Sequence, residues 1–135
     1  GPVGGEPMGG YQGSAFIWPS EGGTGLGATT NAVQSADVNN WAPTLAGLIQ
    51  VTSDEVMGYS ITGIAGGVDG MTITIINNNT NPITGGFTFT HEDAASSAAN
   101  RMTLVNGASV LISGGGTGYL RLRYNGSRWR QIGTG

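Results

Sequence analysis

The chain has no cysteine, no lysine and one histidine, and charged residues make up only 10% of its 135 positions. Each shortage excludes something. Without cysteine there is neither a disulfide framework nor a thiolate metal site, so stability has to come from packing or from partner chains, and the redox compartment stays open. Without lysine, the glycine-rich stretch EGGTGLGATTN (Glu21–Asn31) cannot be a phosphate loop ending in Gly-Lys-Ser/Thr. The segment before it, GSAFIWPS, is broken by Pro19 where a buried strand would be needed. No nucleotide is expected. A formal net charge of −3 offers nucleic acid and anionic lipid no long-range attraction. No apolar run approaches the roughly 20 residues that cross a bilayer, and the charged-then-apolar pattern of a signal peptide is missing. The expectation is a soluble chain that neither inserts in a membrane nor binds nucleic acid.

What is abundant is glycine, with 26 residues, together with threonine and asparagine. That composition suits short strands joined by tight turns, so the fold class read here is all-β. The opening GPVGGEPMGG reads as a protease scar with vector sequence, or as the frayed end of a glycine-rich stalk. Residues 1–39 are read as a glycine-rich linker or stalk and residues 40–133 as one β-sandwich domain.

Eight segments carry strand signals: LIQV from Leu48, MGYSITGI from Met57, MTITIIN from Met71, GFTFT from Gly86, RMTLV from Arg101, SVLIS from Ser109, YLRLRY from Tyr119 and SRWRQI from Ser127. Alternation is the main evidence, because period two puts one set of side chains on a core face and the other toward solvent. Met71, Ile73 and Ile75 alternate with Thr72 and Thr74, Phe87 and Phe89 with Thr88 and Thr90, and Leu120, Leu122 and Tyr124 with Tyr119, Arg121 and Arg123. Asp69-Gly70, Asn106-Gly107, Gly114 to Gly116 and above all Asn125-Gly126 separate the runs as turns, the last predicting a two-residue hairpin. His91–Asn100, HEDAASSAAN, reads as a loop with at most one helical turn. The expected architecture is an antiparallel, jelly-roll-like sandwich with no helix longer than two turns.

Candidate chemistry is sparse. His91, Glu92 and Asp93 are adjacent, so on an extended chain they point to alternate sides and do not converge on a metal. Asp54-Glu55, Asp69 and Glu92-Asp93 show no spacing that selects a glycosidase pair. The expectation is therefore a non-enzyme with no cofactor and no metal. The sequons at Asn78-Asn79-Thr80 and Asn125-Gly126-Ser127 would matter only in a secretory pathway. All five basic residues are arginines between Arg101 and Arg130. Arg121 and Arg123 share one strand face, with Arg128 and Arg130 across the hairpin beside Trp129. That cluster is either a guanidinium patch for an acidic bacterial surface glycan or a set of subunit contacts. Near the start, Phe16, Ile17 and Trp18 in AFIWP are too apolar to dangle and too few to build a core. They are expected to dock on a neighbouring subunit.

The stretch GGTGLGATTN resembles the GGTG-ATT segments of bacteriophage tail-fibre proteins, where they link trimeric modules. From Asn40 onward NWAPT, ITGIAGGVDGMTITIINNNTN, FTFTHEDAASSAANRMTL, ASVLI and YNGSRWR resemble a C-terminal β-domain of phage virion proteins. The Asn100-Arg101 and Ser127-Arg128-Trp129-Arg130 pieces are its most specific parts. The resemblance implies a structural module on the virion surface, made in the host cytoplasm, homotrimeric, with other virion proteins as partners. The role it implies is that of a fibre or spike tip active in host attachment, or of a capsid decoration protein. A free-standing carbohydrate-binding module is the more distant alternative.

Overall fold

The computed structural model describes residues 27–116 and 118–135, and the fold is all-β. Among these residues nine strands occur in chain order: β1 (Thr29–Val33), β2 (Leu48–Thr52), β3 (Tyr59–Ile61), β4 (Thr72–Asn77), β5 (Phe87–Phe89), β6 (Met102–Thr103), β7 (Val110–Ile112), β8 (Tyr119–Tyr124) and β9 (Trp129–Thr134). Among the described residues the only helical pieces are two 3₁₀ turns, at Ala98–Asn100 and Val105–Gly107. All eight expected segments contain a strand, and β1 is an addition. It lies in the stretch read as linker and pairs with β2 from Thr29 opposite Leu48 to Val33 opposite Thr52. The folded unit therefore begins ahead of the expected boundary at Asn40.

Six strands form one sheet in the order β1-β2-β4-β8-β9-β6, and three form a second in the order β3-β5-β7. The expectation of purely antiparallel, jelly-roll-like pairing is corrected here. β1 with β2, β2 with β4, β3 with β5 and β6 with β9 are parallel, whereas β4 with β8, β5 with β7 and β8 with β9 are antiparallel. The reason is the path of the chain. After β1 it crosses to the second sheet, where Val38 and Trp41 make parallel bridges to Ile61 and Ile64. It returns as β2, crosses as β3, returns as β4 and crosses again as β5. Successive visits to a sheet then run the same way, because each is separated by a full excursion through the other layer.

Period two decides the core. Ile49 and Val51, Ile73 and Ile75, and Leu120 and Leu122 face inward from the large sheet, and Ile61, Phe87, Phe89 and Ile112 face them from the small one. Thr72, Thr74, Arg121 and Arg123 occupy the alternate positions, outside the core.

Two polar knots, one buried and one half-buried, hold the crossings. Asn77 Nδ2 donates to the carbonyls of Gly85 at 2.7 Å and Ile112 at 2.9 Å, while its Oδ1 accepts from Asn79 N–H. Asn79 in turn donates to Ser53 Oγ and Gly85 O, and accepts from Ser53 N–H. In the second knot Ser96 Oγ lies 2.8 Å from Thr62 Oγ1 and accepts from Asn40 N–H, while Asn40 Oδ1 accepts from Asn100 Nδ2 and Ser97 N–H. Buried amides with all partners supplied fix one arrangement of the loops, since a shift would leave donors unpaired.

The hairpin between β8 and β9 also departs in detail. Its closing bond runs from Asn125 N–H to Arg128 O, so Gly126 and Ser127 are the central residues. Only Gly126 has a positive φ, at 97°. Asn125 acts through its side chain, with Oδ1 accepting from Ser127 and Arg128 N–H.

Candidate binding surface

The register places three arginines on one outer sheet face. Across four strands Thr72 (β4), Arg123 (β8), Arg130 (β9) and Thr103 (β6) lie in one row. In the next row Thr74 is opposite Arg121, which is opposite Gly133. Arg121, Arg123, Arg130 and Thr103 are exposed. Arg130 and Thr103 also line an open cleft of about 340 Å³ with Leu104, Val105, Asn125 and Gln131. The surface thus combines guanidinium forks with hydroxyl and amide groups.

The other two members of the sequence cluster go elsewhere. Arg128 Nε donates to Glu92 Oε1 and Oε2 at 2.9 and 3.0 Å, the only ion pair among the described residues. Trp129 is fully buried. Its Nε1–H donates to Ile64 O at 2.8 Å, and its ring meets Tyr124 edge-on at a centroid distance of 5.1 Å. It cannot stack on a sugar or touch a subunit, because the same alternation that exposes Arg130 turns residue 129 inward. Phe16, Ile17 and Trp18 lie outside the described residues.

The acids are occupied with loops. Glu92 sits at a left-handed φ of 41°. Partial burial pushes its carboxyl up, but the Thr103 hydroxyl and the Arg128 guanidinium together outweigh that and hold it below the ordinary glutamate range. His91 Nδ1 accepts from Leu104 N–H, and Asp93 accepts from Thr90 Oγ1 and Ala95 N–H. The three neighbours hence face three different partners. Asp54 accepts from Tyr59 Oη at 2.7 Å and from Val56 N–H, bonds that lower its carboxyl from the usual value. Glu55, also at positive φ, accepts from Thr80 and Asn81 N–H. No group of three His, Cys, Asp or Glu side chains among the described residues is placed to hold a metal ion. No helix among them is long and apolar enough to cross a membrane.

Sequence reasoning found the arginines but not their neighbours. Thr72 and Thr74 were legible as polar-face residues, yet only the β4–β8 register sets them beside Arg123 and Arg121. Thr103 and Gln131 carried no signal, since β6 joins β9 through a parallel pairing between segments far apart in the chain. Compared with known proteins, the chain matches no family model, no curated protein and no solved structure.

Proposed function

We propose that this chain is a non-enzymatic structural module of a bacteriophage virion surface, a fibre or spike tip that assembles as a homotrimer and takes part in host attachment. One observation carries the reading: the chain winds between two sheets in parallel passes, and the coil ends at an open, uncharged edge. That edge is β1, Thr-Thr-Asn-Ala-Val, whose outer side has no strand neighbour among the described residues. Parallel passes stack by repetition, each touching its neighbours, so such a coil is extended by adding passes from the same chain or from another. An uncharged edge strand without proline or bulge is one that a soluble protein ordinarily pairs or covers. The glycine-rich segment before β1 and the resemblance to phage virion domains agree with a module mounted on a fibre. Alignment of such modules in a trimer multiplies weak surface contacts through effective concentration.

The second reading, capsid decoration, is favoured by exposed apolar side chains at Val56, Met57, Ile83 and Leu111. An interface with another virion protein would cover them.

Two measurements test the proposal together. Light scattering at micromolar concentration is expected to give three times the 13.7 kDa chain mass. Binding to host cells is expected to exceed binding to cells stripped of surface polysaccharide and to purified capsids. Capsid binding without cell binding moves decoration to first place. A monomer that binds neither overturns both readings.

A further inference from the structure

Arg123 and Arg130 stand directly opposite each other on adjacent strands, with Arg121 two residues along β8 on the same face. Like charges at facing positions destabilise a sheet, and among the described residues neither is in an ion pair. The surplus is local. The protein as a whole has eight acids against five arginines, yet Asp37, Asp54, Glu55, Glu92 and Asp93 are all engaged with backbone or side-chain donors away from the row or with Arg128. Among the described residues no acid is ion-paired with Arg121, Arg123 or Arg130, and an acidic chain carries a cationic row on one sheet face.

We propose that this row is the binding site for a carboxylate-bearing polysaccharide, with Arg123 and Arg130 as the forks that hold an acid group and Arg121 as a third contact. Strand geometry brings the three stems together: neighbouring strands are about 4.8 Å apart and alternate residues about 6.7 Å, so the heads can close on one or two acidic groups. Guanidinium matches the carboxylate in a planar two-bond pairing. The rest of the face suits sugar hydroxyls, which both donate and accept. Thr72 and Thr74 offer hydroxyls along the rows, the Thr103 hydroxyl, which donates to Glu92, is left as an acceptor, and Asn125 and Gln131, whose oxygens accept from backbone N–H groups, offer amide donors in the cleft beside Arg130. A nucleic acid would meet the net charge of −3, and the indole of Trp129 is closed to base stacking by burial.

This proposal names the ligand class for the surface module proposed above and rests on that reading for its biological setting only. The full chain is tested against immobilised polygalacturonate, with neutral dextran and polydeoxythymidylate as comparisons, and its mass is followed by light scattering. Polygalacturonate is expected to retain the protein, less so at high salt, and dextran is not. The variant Arg123→Ala with Arg130→Ala is expected to weaken retention at least about ten-fold, the loss of more than one charge-assisted hydrogen bond, while circular dichroism and mass stay unchanged. Arg123→Lys with Arg130→Lys, which keeps charge but not the fork, is expected to fall between. Arg128→Ala is expected to leave retention unchanged, because Arg128 is held by Glu92. Absent retention, or retention that survives the double alanine variant, overturns the proposal, as does equal or stronger binding to polydeoxythymidylate. A wild type that ignores polygalacturonate but whose oligomer dissociates in the double alanine variant assigns the row to contacts between copies. A trimer that binds cells but not polygalacturonate sinks this proposal and leaves the surface-module reading standing.

Discussion

Two regions of the six-stranded sheet are built by different rules. At one end β1, β2 and β4 are parallel neighbours, each separated from the next by an excursion through the second sheet. Farther across, inside the parallel β9–β6 edge, β8 and β9 are antiparallel neighbours joined by a turn closed between Asn125 and Arg128. The hairpin is specified locally, by one glycine at positive φ and one asparagine side chain. The coil is specified at a distance, by the amide knot of Asn77 and Asn79 and by aliphatic residues that meet only after the chain has crossed over. Order that depends on contacts far apart in sequence carries its loop-closure cost before any contact forms. The coil consequently has more to lose from a single buried change than the hairpin has from a change at its turn.

Trp129→Ala is expected to have the largest effect, because that residue ties one region to the other. Its indole is fully buried and reaches Ile64 O, at the end of the crossing after β3. Truncation of a buried tryptophan costs about 3–5 kcal/mol. Urea unfolding should show that loss as one cooperative transition at a lower midpoint. Two separated transitions would mean that hairpin and coil fold independently, and the contrast drawn above would become one between two units.

Asn77→Ala tests the coil alone. Removal of the amide takes the Asn77 partner from Ile112 O and from the N–H of Asn79 in a buried site, and leaves Gly85 O with Asn79 Nδ2 alone of its two amide donors. An expected loss of about 3 kcal/mol follows from the cost of unpaired buried polar groups. Faster hydrogen exchange at β4 and β5 than at β8 and β9 would place the damage in the coil. Uniform change would show that the knot serves the whole sandwich.

These residues also show what could be read beforehand. Met71, Ile73 and Ile75 were assigned to the core by alternation, and all are buried. The hairpin was found from Asn125-Gly126, although the turn sits one residue later because the Asn125 side chain takes over the accepting role of a carbonyl. Strand direction was not legible. Thr72-Ile73-Thr74 alternates in the same way whether its neighbour runs up or down, and the pairing of β2 with β4 depends on the intervening passage through Tyr59–Ile61. β1 escaped notice because Thr-Thr-Asn-Ala-Val carries no apolar alternation and lies on the sheet edge, where one strand neighbour and partial burial suffice. The arginine row was half legible: its members alternate correctly, but Arg128 is withdrawn by Glu92, which lies 36 positions away in the sequence.

Gly126→Ala sharpens the comparison from the hairpin side. At a φ of 97° an alanine is strained by about 1–2 kcal/mol. No neighbouring atom approaches its added Cβ closer than 3.8 Å, so backbone conformation alone sets the penalty. Thermal unfolding should place this variant between wild type and Asn77→Ala. A loss as large as that of Asn77→Ala would overturn the claim that the coil is the more demanding region.

Glu92→Gln should have the smallest effect, and its pH dependence identifies the cause. The substitution keeps the side-chain shape and leaves the left-handed backbone at residue 92 in place, so strain cancels between variant and wild type and only the charge is compared. Arg128 and Glu92 are 29% and 32% exposed, and solvent screening limits such a pair to about 0.5 kcal/mol. The carboxyl of Glu92 is held below its ordinary value in the folded protein. A lowered acid contributes stability that is fully present above the unfolded value, about 4.3, and lost as pH falls through the folded one. The variant should therefore be slightly less stable than wild type at pH 7, and the two should converge as the solution is acidified below pH 4.3. Denaturation midpoints taken in that range decide it. A difference that persists unchanged at the acid end would show that the Thr103 and Arg128 contacts act through packing, not through the carboxylate charge.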